Sequence, residues 1–589
     1  MSYNENGKLI AKPPALPGTW APDALFSGIA ALARDVPEKF CTHLCIVPFL
    51  RLLDEGLKMK KIDVKGVVPP SIMVIITITA IFAAIGCKPA ARGNSKKASV
   101  NITIPVSDKD KYRVTLPEYL REIVKENRKK MYPSPKPDII DIVRGYQPSG
   151  LDAKTDAAIA DFIKQSKEKD AAPPESMSHG EIKGELDRLF DYLKYGYAAY
   201  QYFGGDEVFG AAKILMLKKL SLMADPVNVS SYVNDLLIPC LDAVLADNHF
   251  RVGEQRLGIR SHLYLNDDFI VQKTISGYTT EMNGQIYQVL RAGPKRFEGL
   301  LPTLTRKGEL AYVLGLNRTS KVKPEYVSMD IRLKDIRTQE IIEKNIRLFP
   351  VSGQYRDRLS NEFYAIKEVD GISVLENRRL YLQDESDLTI AGFIDSALTL
   401  RDKPVLIIDL RDNEGGMADY ASDWVEMYSG VKPPWAMFVS ARLYSRTANE
   451  INPWAKALSP PEWGVWKSDA PIVIPNDNLV IVLIDDTVRS SGEFFAGFLR
   501  LLDNVLFVGV NTFGCLTTGN IGSVVLPISK QKISLGADLY IRPDLSQFEG
   551  VGVKPDLWVP PGESLDRVIR FVIQFLNRFS FEKQHAASK

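Results

Sequence analysis

The sequence predicts an α/β fold built on a parallel sheet, preceded by a helical subdomain and a small β-rich domain. Two segments carry the prediction of the sheet. Residues 404–416 read PVLIIDLRDNEGG and residues 479–493 read LVIVLIDDTVRSSGE, each an unbroken aliphatic run followed by a polar turn. Such runs suit strands buried on both faces. After each turn helical spacing resumes, at Ala418–Tyr428 and through Phe494, Phe495, Phe498, Leu499, Leu501 and Leu502. Strand–turn–helix units repeated in this way place a site at the carboxyl ends of parallel strands. A third observation is the change of period between 251 and 365, where short alternating segments replace helical ones.

Bulk properties exclude several classes. The chain has 589 residues, 45% of them apolar and 25% charged, with a formal net charge of +2. These are ordinary values for a globular protein of roughly three or four domains, and they give no electrostatic argument for nucleic acid. The five cysteines (Cys41, Cys45, Cys87, Cys240, Cys515) form no disulfide framework, and the five histidines include no HExxH pair. Neither a catalytic zinc nor another cofactor is expected.

Residues 59–87 read MKKIDVKGVVPPSIMVIITITAIFAAIGC, with lysines first, then an apolar run over Ser71–Ala84, then small residues and a cysteine. This is the layout of a secretory signal, and its AIGC ending resembles a bacterial lipobox, which implies lipidation at Cys87. A membrane-spanning helix over 66–87, interrupted by Pro69 and Pro70, is the competing reading. Residues 1–58 then form a doubtful N-terminal extension: either translation starts at Met59, or the segment is a real cytoplasmic one. Residues 88–175 read as a polar, basic tether followed by short charged helices.

The helical subdomain spans 176–250. Leu186, Leu189, Phe190, Leu193 and Tyr197 share one helical face, and two more amphipathic helices follow at 206–222 and 229–246. The tyrosines between Tyr192 and Tyr202 read as packing. His249 falls just after the expected helix end, where the dipole favours an imidazolium. The β-rich domain spans 251–365, with strands around 263–265, 269–274, 285–290, 311–314, 327–333 and 341–348 and glycines at the turns.

The α/β core spans 366–589. The glycine pair Gly415-Gly416 lets the backbone approach a ligand and turn its amides outward. Ser490 and Ser491 stand where a buried strand meets a helix, beside unpaired N–H groups, which is a place for a nucleophile with an oxyanion site. The plainer reading is a helix cap, with Glu493 completing a capping box.

Taken together, DLRDNEGG (409–416), SSGE (490–493), VGVNTFG (508–514) and FEGVGVKPDLWV (548–559) resemble the motifs of the carboxy-terminal-processing, or tail-specific, and tricorn-core serine peptidases. The resemblance covers roughly 366–575. It implies a crotonase-like (ClpP/crotonase) catalytic domain, Ser490 as nucleophile, and oxyanion donors among the amides of Gly415, Gly416 and Ser491. The processing branch carries a lysine after TFG as general base; here that residue is Cys515, whose ordinary pKa of ~8.5 suits the task poorly. The tricorn-like branch implies a serine, histidine and glutamate set. Glu549 matches the glutamate, while the histidine is His249 or His262. Relatives carry a peptide-binding PDZ domain where the 251–365 region stands. The expected activity is that of a serine endopeptidase on the outer side of a bacterial membrane, acting on peptides or proteins. The alternative is an inactive lipoprotein of the same fold that binds peptides or apolar ligands.

Overall fold

The computed structural model describes residues 2–3, 9–10, 114, 116–148, 150–166, 172–351, 362–384, 387–452, 465–466 and 468–587. The 59–87 signal, Cys87 and all of the extension except residues 2–3 and 9–10 lie outside these residues. Residues 2–3 and 9–10 pair as a short antiparallel ladder in a unit of their own, and residues 98–589 form a second compact unit.

The second unit starts with helices. α1 (Glu118–Met131), α2 (Ile139–Arg144), α3 (Ala153–Ser166), α4 (His179–Gly196) and α5 (Gly205–Leu220) precede a helical run over 229–242 that includes a π-helical stretch at Tyr232–Leu237. α4 starts with a true capping box: Ser178 accepts from the Glu181 amide while the Glu181 carboxylate accepts from the Ser178 amide. Tyr192, Tyr195, Tyr197 and Tyr200 are buried, as packing residues are.

The expected helix over 229–246 stops at Asp242, and the chain turns into a strand, β1 (Asp247–Val252), followed by β2 (Gln255–Leu257). His249 therefore lies inside a buried strand and not beside a helix terminus. β1 pairs with a strand some 280 residues later, Val252 opposite Ile533 and Arg251 opposite Ser534. That long-range partner decides the conformation of a stretch whose local spacing does not.

Seven antiparallel strands follow: β3 (Arg260–Thr274), β4 (Gly277–Met282), β5 (Gln285–Ala292), β6 (Leu300–Leu304), β7 (Leu310–Ser320), β8 (Val327–Asp335) and β9 (Ile341–Pro350). They pair in the order β6-β7-β3-β9-β8-β5-β4, and β4 returns to pair with β3. The long β3 thus closes five strands into a ring around Tyr264, Val271, Ile331, Leu333 and Leu348. The two segments 263–265 and 269–274 belong to this one strand. No helix occurs among the described residues of 260–350.

The core holds two sheets. β10 (Tyr364–Val369), β11 (Ile372–Asn377), β12 (Val405–Asp409), β15 (Leu479–Ile484), β16 (Val505–Gly509) and β19 (Leu557–Trp558) pair in that order, parallel from β11 onward. Every residue of β12, β15 and β16 is buried, which is why those runs are aliphatic throughout. In the other sheet, β13 (Val439–Arg442) and β14 (Val465–Trp466) lead to β18 (Lys532–Ile541), which pairs with β1 and with β17 (Thr518–Val525). Five more helices belong to this region: α6 (Thr389–Leu400), α7 (Ala418–Ser429), α8 (Arg446–Ile451), α9 (Ser491–Arg500) and α10 (Pro561–Ala587). α6, α7 and α9 join the hydrophobic cluster of the parallel sheet, as does α1 from far upstream. The helical front instead shares a cluster with the second sheet, through Val252, Val439, Leu535 and Ile541. Residues 378–382 form a loop that carries an isolated bridge from Leu380 to Gly416, and Arg378 reaches Asp409 at the end of β12. Among the described residues no helix is long and apolar enough to cross a membrane.

Candidate active site

Two turns at the carboxyl ends of adjacent parallel strands meet face to face. β12 and β15 are neighbours in register, Asp409 opposite Leu483. The turn after β12 reaches Gly415 and Gly416, at φ +87° and +143°. A methyl group on Gly415 would lie 2.8 Å from the Arg489 carbonyl and 2.9 Å from Ser490 Cβ, so only glycine lets this backbone press on the second turn. On Gly416 a methyl would meet the Leu380 carbonyl oxygen at 2.0 Å.

Ser490 stands at the start of α9 with φ +55° and ψ −124°. For a residue with a side chain this is a strained backbone, costing on the order of 1–3 kcal/mol. Its side chain makes no capping bond. Ser491 differs: its hydroxyl donates to the Gly416 carbonyl at 2.6 Å, which ties the two turns together. Of the expected capping box only the Glu493 half is present, its carboxylate stabilised by the Ser490 amide, while the Ser490 hydroxyl caps nothing. The Glu493 carboxylate accepts from Thr512 Oγ1 at 2.5 Å, Gly514 N at 2.7 Å and Cys515 N at 2.8 Å. Burial pushes its pKa up to about 7, against these donors.

Of the three amides expected to face an oxyanion, that of Gly415 is engaged, donating to Asn413 Oδ1 at 2.8 Å. The amides of Gly416 and Ser491 make no hydrogen bond among the described residues. Asp485, just past β15, links the turns from below. Its Oδ1 accepts from Thr487 N at 3.0 Å, Thr487 Oγ1 at 2.6 Å and Asp412 N at 3.3 Å. Burial raises this carboxyl to about 7.

Glu549 and His249 come together through the main chain. Glu549 accepts from Asn248 N at 2.6 Å, Leu516 N at 3.2 Å and Thr517 N at 2.7 Å. It is raised to about 8, by burial and then by the neighbouring Asp247. Asp247 in turn receives Tyr197 Oη at 2.7 Å, Thr518 Oγ1 at 2.8 Å and the His249 amide at 2.9 Å. The pairing of β1 with β2 slips between Asp247 and Arg251, so Asn248 and His249 sit on an irregularity that re-aims their side chains. The His249 imidazole is buried and its Nδ1 has no partner. Burial lowers its pKa to about 4, so the ring is neutral at pH 7, opposite to the imidazolium expected at a helix end. No hydrogen bond joins this ring to Ser490 or Glu549 among the described residues. His262 lies on β3 opposite Arg318, in the seven-stranded sheet.

Cys515 is buried completely between these groups. Burial, then Glu549, Glu493 and Asp247, hold its thiol well above the usual range, so it is neutral and neither base nor nucleophile. The two halves of the site are joined by the 512–517 loop, bound by Glu493 from one side and by Glu549 from the other. Sequence reading missed this role of Glu493, and that of Asp485 and Asp247. An acid three residues after a helix-capping serine signals a cap first, and only the long-range partner reveals otherwise.

Residues 383–559 match the model of Peptidase family S41. No curated protein matches the chain in sequence. Among solved structures it is similar to mature CPAF, at 15% identity over 67% of this chain and 96% of that one, with a TM-score of 0.36. It is similar to a photosystem II D1 C-terminal processing protease at 12% identity, over 64% and 93%, TM-score 0.29. The tricorn protease gives 12% identity, 68% and 37% coverage and a TM-score of 0.31.

Proposed function

We propose that the chain, whose residues 383–559 match the model of Peptidase family S41, is a serine endopeptidase with a crotonase-like catalytic domain and Ser490 as nucleophile. One observation carries this reading: Ser490 holds a strained backbone, its hydroxyl caps nothing, and on the two turns that meet there the amides of Gly416 and Ser491 make no hydrogen bond among the described residues. Strain of this kind persists at a residue with a side chain where that side chain is used. In the reaction Ser490 Oγ attacks a peptide carbonyl, and the amides of Gly416 and Ser491 receive the oxyanion, such donors contributing ~3 kcal/mol each. His249, neutral and with a free ring nitrogen, takes the hydroxyl proton. Glu549 is a positioning residue, since its carboxylate ties the Asn248 amide, on the strand that carries His249, to the amides of Leu516 and Thr517.

A second reading is a non-catalytic protein that binds peptides. It is favoured by the absence of a hydrogen bond between His249 and Ser490 and by Cys515 standing where the processing branch has lysine. The location outside a bacterial cytoplasm, anchored by lipid at Cys87 or by the 66–87 run, rests on the sequence of 59–87 alone.

Labelling of the purified chain with a fluorophosphonate separates the readings. Wild type and Ser491→Ala should label and Ser490→Ala should not. Loss of labelling in Ser491→Ala alone would move the nucleophile by one residue, and no labelling of folded wild type would favour the binder.

A further inference from the structure

Beside the candidate nucleophile lies a group of cations that the proposed reaction does not use. Phe513 is buried, and its amide donates to the Val488 carbonyl, two residues before Ser490. The Arg260 guanidinium lies over its ring at 3.9 Å from the centroid, and that of Arg256 at 5.7 Å. Arg256 also donates to the Asn248 carbonyl at 2.9 Å, next to His249. Arg489, adjacent to Ser490, completes the group. The cluster therefore spans the gap between the nucleophile turn and the histidine strand.

Its charges are poorly balanced. Arg489 pairs with Glu414 at 2.8 Å, but neither Arg256 nor Arg260 has a carboxylate within ion-pair distance among the described residues. Arg260 is exposed along its side chain although its guanidinium is partly desolvated, and it donates no hydrogen bond among the described residues, which leaves its donors for a ligand. Asp486 faces Arg260 as a counter-charge, yet Asp486 Oδ1 has no partner. Burial, then the repulsion of Arg489, Arg251 and Arg260, lowers Arg256 to about 10, although a positive cluster in water would disperse. Stacking on one ring holds the guanidiniums together without neutralising them. A planar guanidinium with open donors recognises a carboxylate in bidentate fashion.

We infer that Arg260 and Arg256, stacked on Phe513, form a substrate subsite that takes an acidic side chain of a peptide lying across Ser490. This rests on the peptidase reading, which names the site, but it is tested by a readout that does not need turnover. Binding of amidated fluorescent peptides to Ser490→Ala is measured by anisotropy, each peptide carrying Glu, Gln or Lys at one position in turn. The same peptides, internally quenched, are offered to wild type for kcat/KM.

At one position Glu should bind about ten- to a hundredfold tighter than Gln, the range of a charge-assisted hydrogen bond, and Lys weaker still. The preference should shrink in 0.5 M salt and fall to near unity in Arg260→Gln on the Ser490→Ala background, and reverse towards Lys in Arg260→Glu. Equal binding of Glu and Gln peptides at every position would overturn the subsite. So would a preference that survives both Arg260 variants, or one for a free C-terminus in place of an acidic side chain. Selective binding without cleavage by wild type would leave the subsite standing and remove the peptidase reading; cleavage without selectivity would do the reverse.

Discussion

The two strand–turn–helix units of the core follow one plan and solve it with opposite chemistry. Each ends a buried strand in an aspartate, Asp409 in one and Asp485 in the other. Asp409 is bound by Arg411 Nε at 2.8 Å, Arg411 Nη2 at 2.5 Å and Arg378 Nη2 at 3.3 Å. Burial opposes its charge, but the two guanidiniums outweigh burial and hold the carboxyl at about 2. Asp485 has only a hydroxyl and amides, and burial raises it to about 7. The turns differ likewise. The first gives its positive φ angles mostly to glycines, the second gives one to Ser490. A rigid, charged scaffold thus faces a strained and titratable one, and the proposed nucleophile belongs to the second.

Breaking the scaffold should cost most. Asp409→Ala would take from the buried Arg411 and Arg378 the carboxylate they share, a loss of about 3–5 kcal/mol in urea unfolding at pH 7. An unchanged midpoint would mean the pair is replaceable. Gly416→Ala comes next. Its methyl would collide with the Leu380 carbonyl and displace a donor amide, so fluorophosphonate labelling should slow on the order of a hundredfold. A labelling rate equal to wild type would remove Gly416 from the oxyanion site.

The two aspartates also predict opposite pH effects. The folded pKa of Asp409 is depressed, so its stabilisation is present above pH ~4 and lost as pH falls through about 2. The folded pKa of Asp485 is raised, so its contribution is present below pH ~4 and lost as pH rises through about 7. Unfolding free energy measured from pH 4 to 7 should fall less steeply in Asp485→Asn than in wild type, by up to ~1.4 kcal/mol per pH unit, one proton's worth. Parallel slopes would show that Asp485 is ionised throughout. Smallest is Ser490→Gly, which relieves the positive φ and should stabilise the fold by ~1 kcal/mol while abolishing labelling. Destabilisation would mean that the hydroxyl supports the turn.

Much of the parallel sheet was legible because its strands are buried on both faces, so pattern alone marks them: Leu479–Ile484 has the same limits in sequence and structure. The strand carrying His249 was not legible, since LADNHFRV has no period of its own and takes its shape from β18. The ring closure of β3 by β4 was equally hidden, because a strand bulged between Asn266 and Ile270 looks like two short ones. At the site, motif order marked Ser490 and the glycine loop. The spending of the Gly415 amide on Asn413, and of Glu493 on the 512–515 backbone, follows from contacts far apart in sequence.

The burial of the two described cysteines has a practical corollary. Cys240 lies within the helical front and Cys515 at the heart of the site, and both are free and closed to solvent. An aromatic disulfide reagent can reach either only when its surroundings open. Mass mapping of the two thiols over time would therefore clock the breathing of two parts of one molecule. Slowing of the Cys515 reaction alone by a bound peptide would locate that peptide without any engineered label.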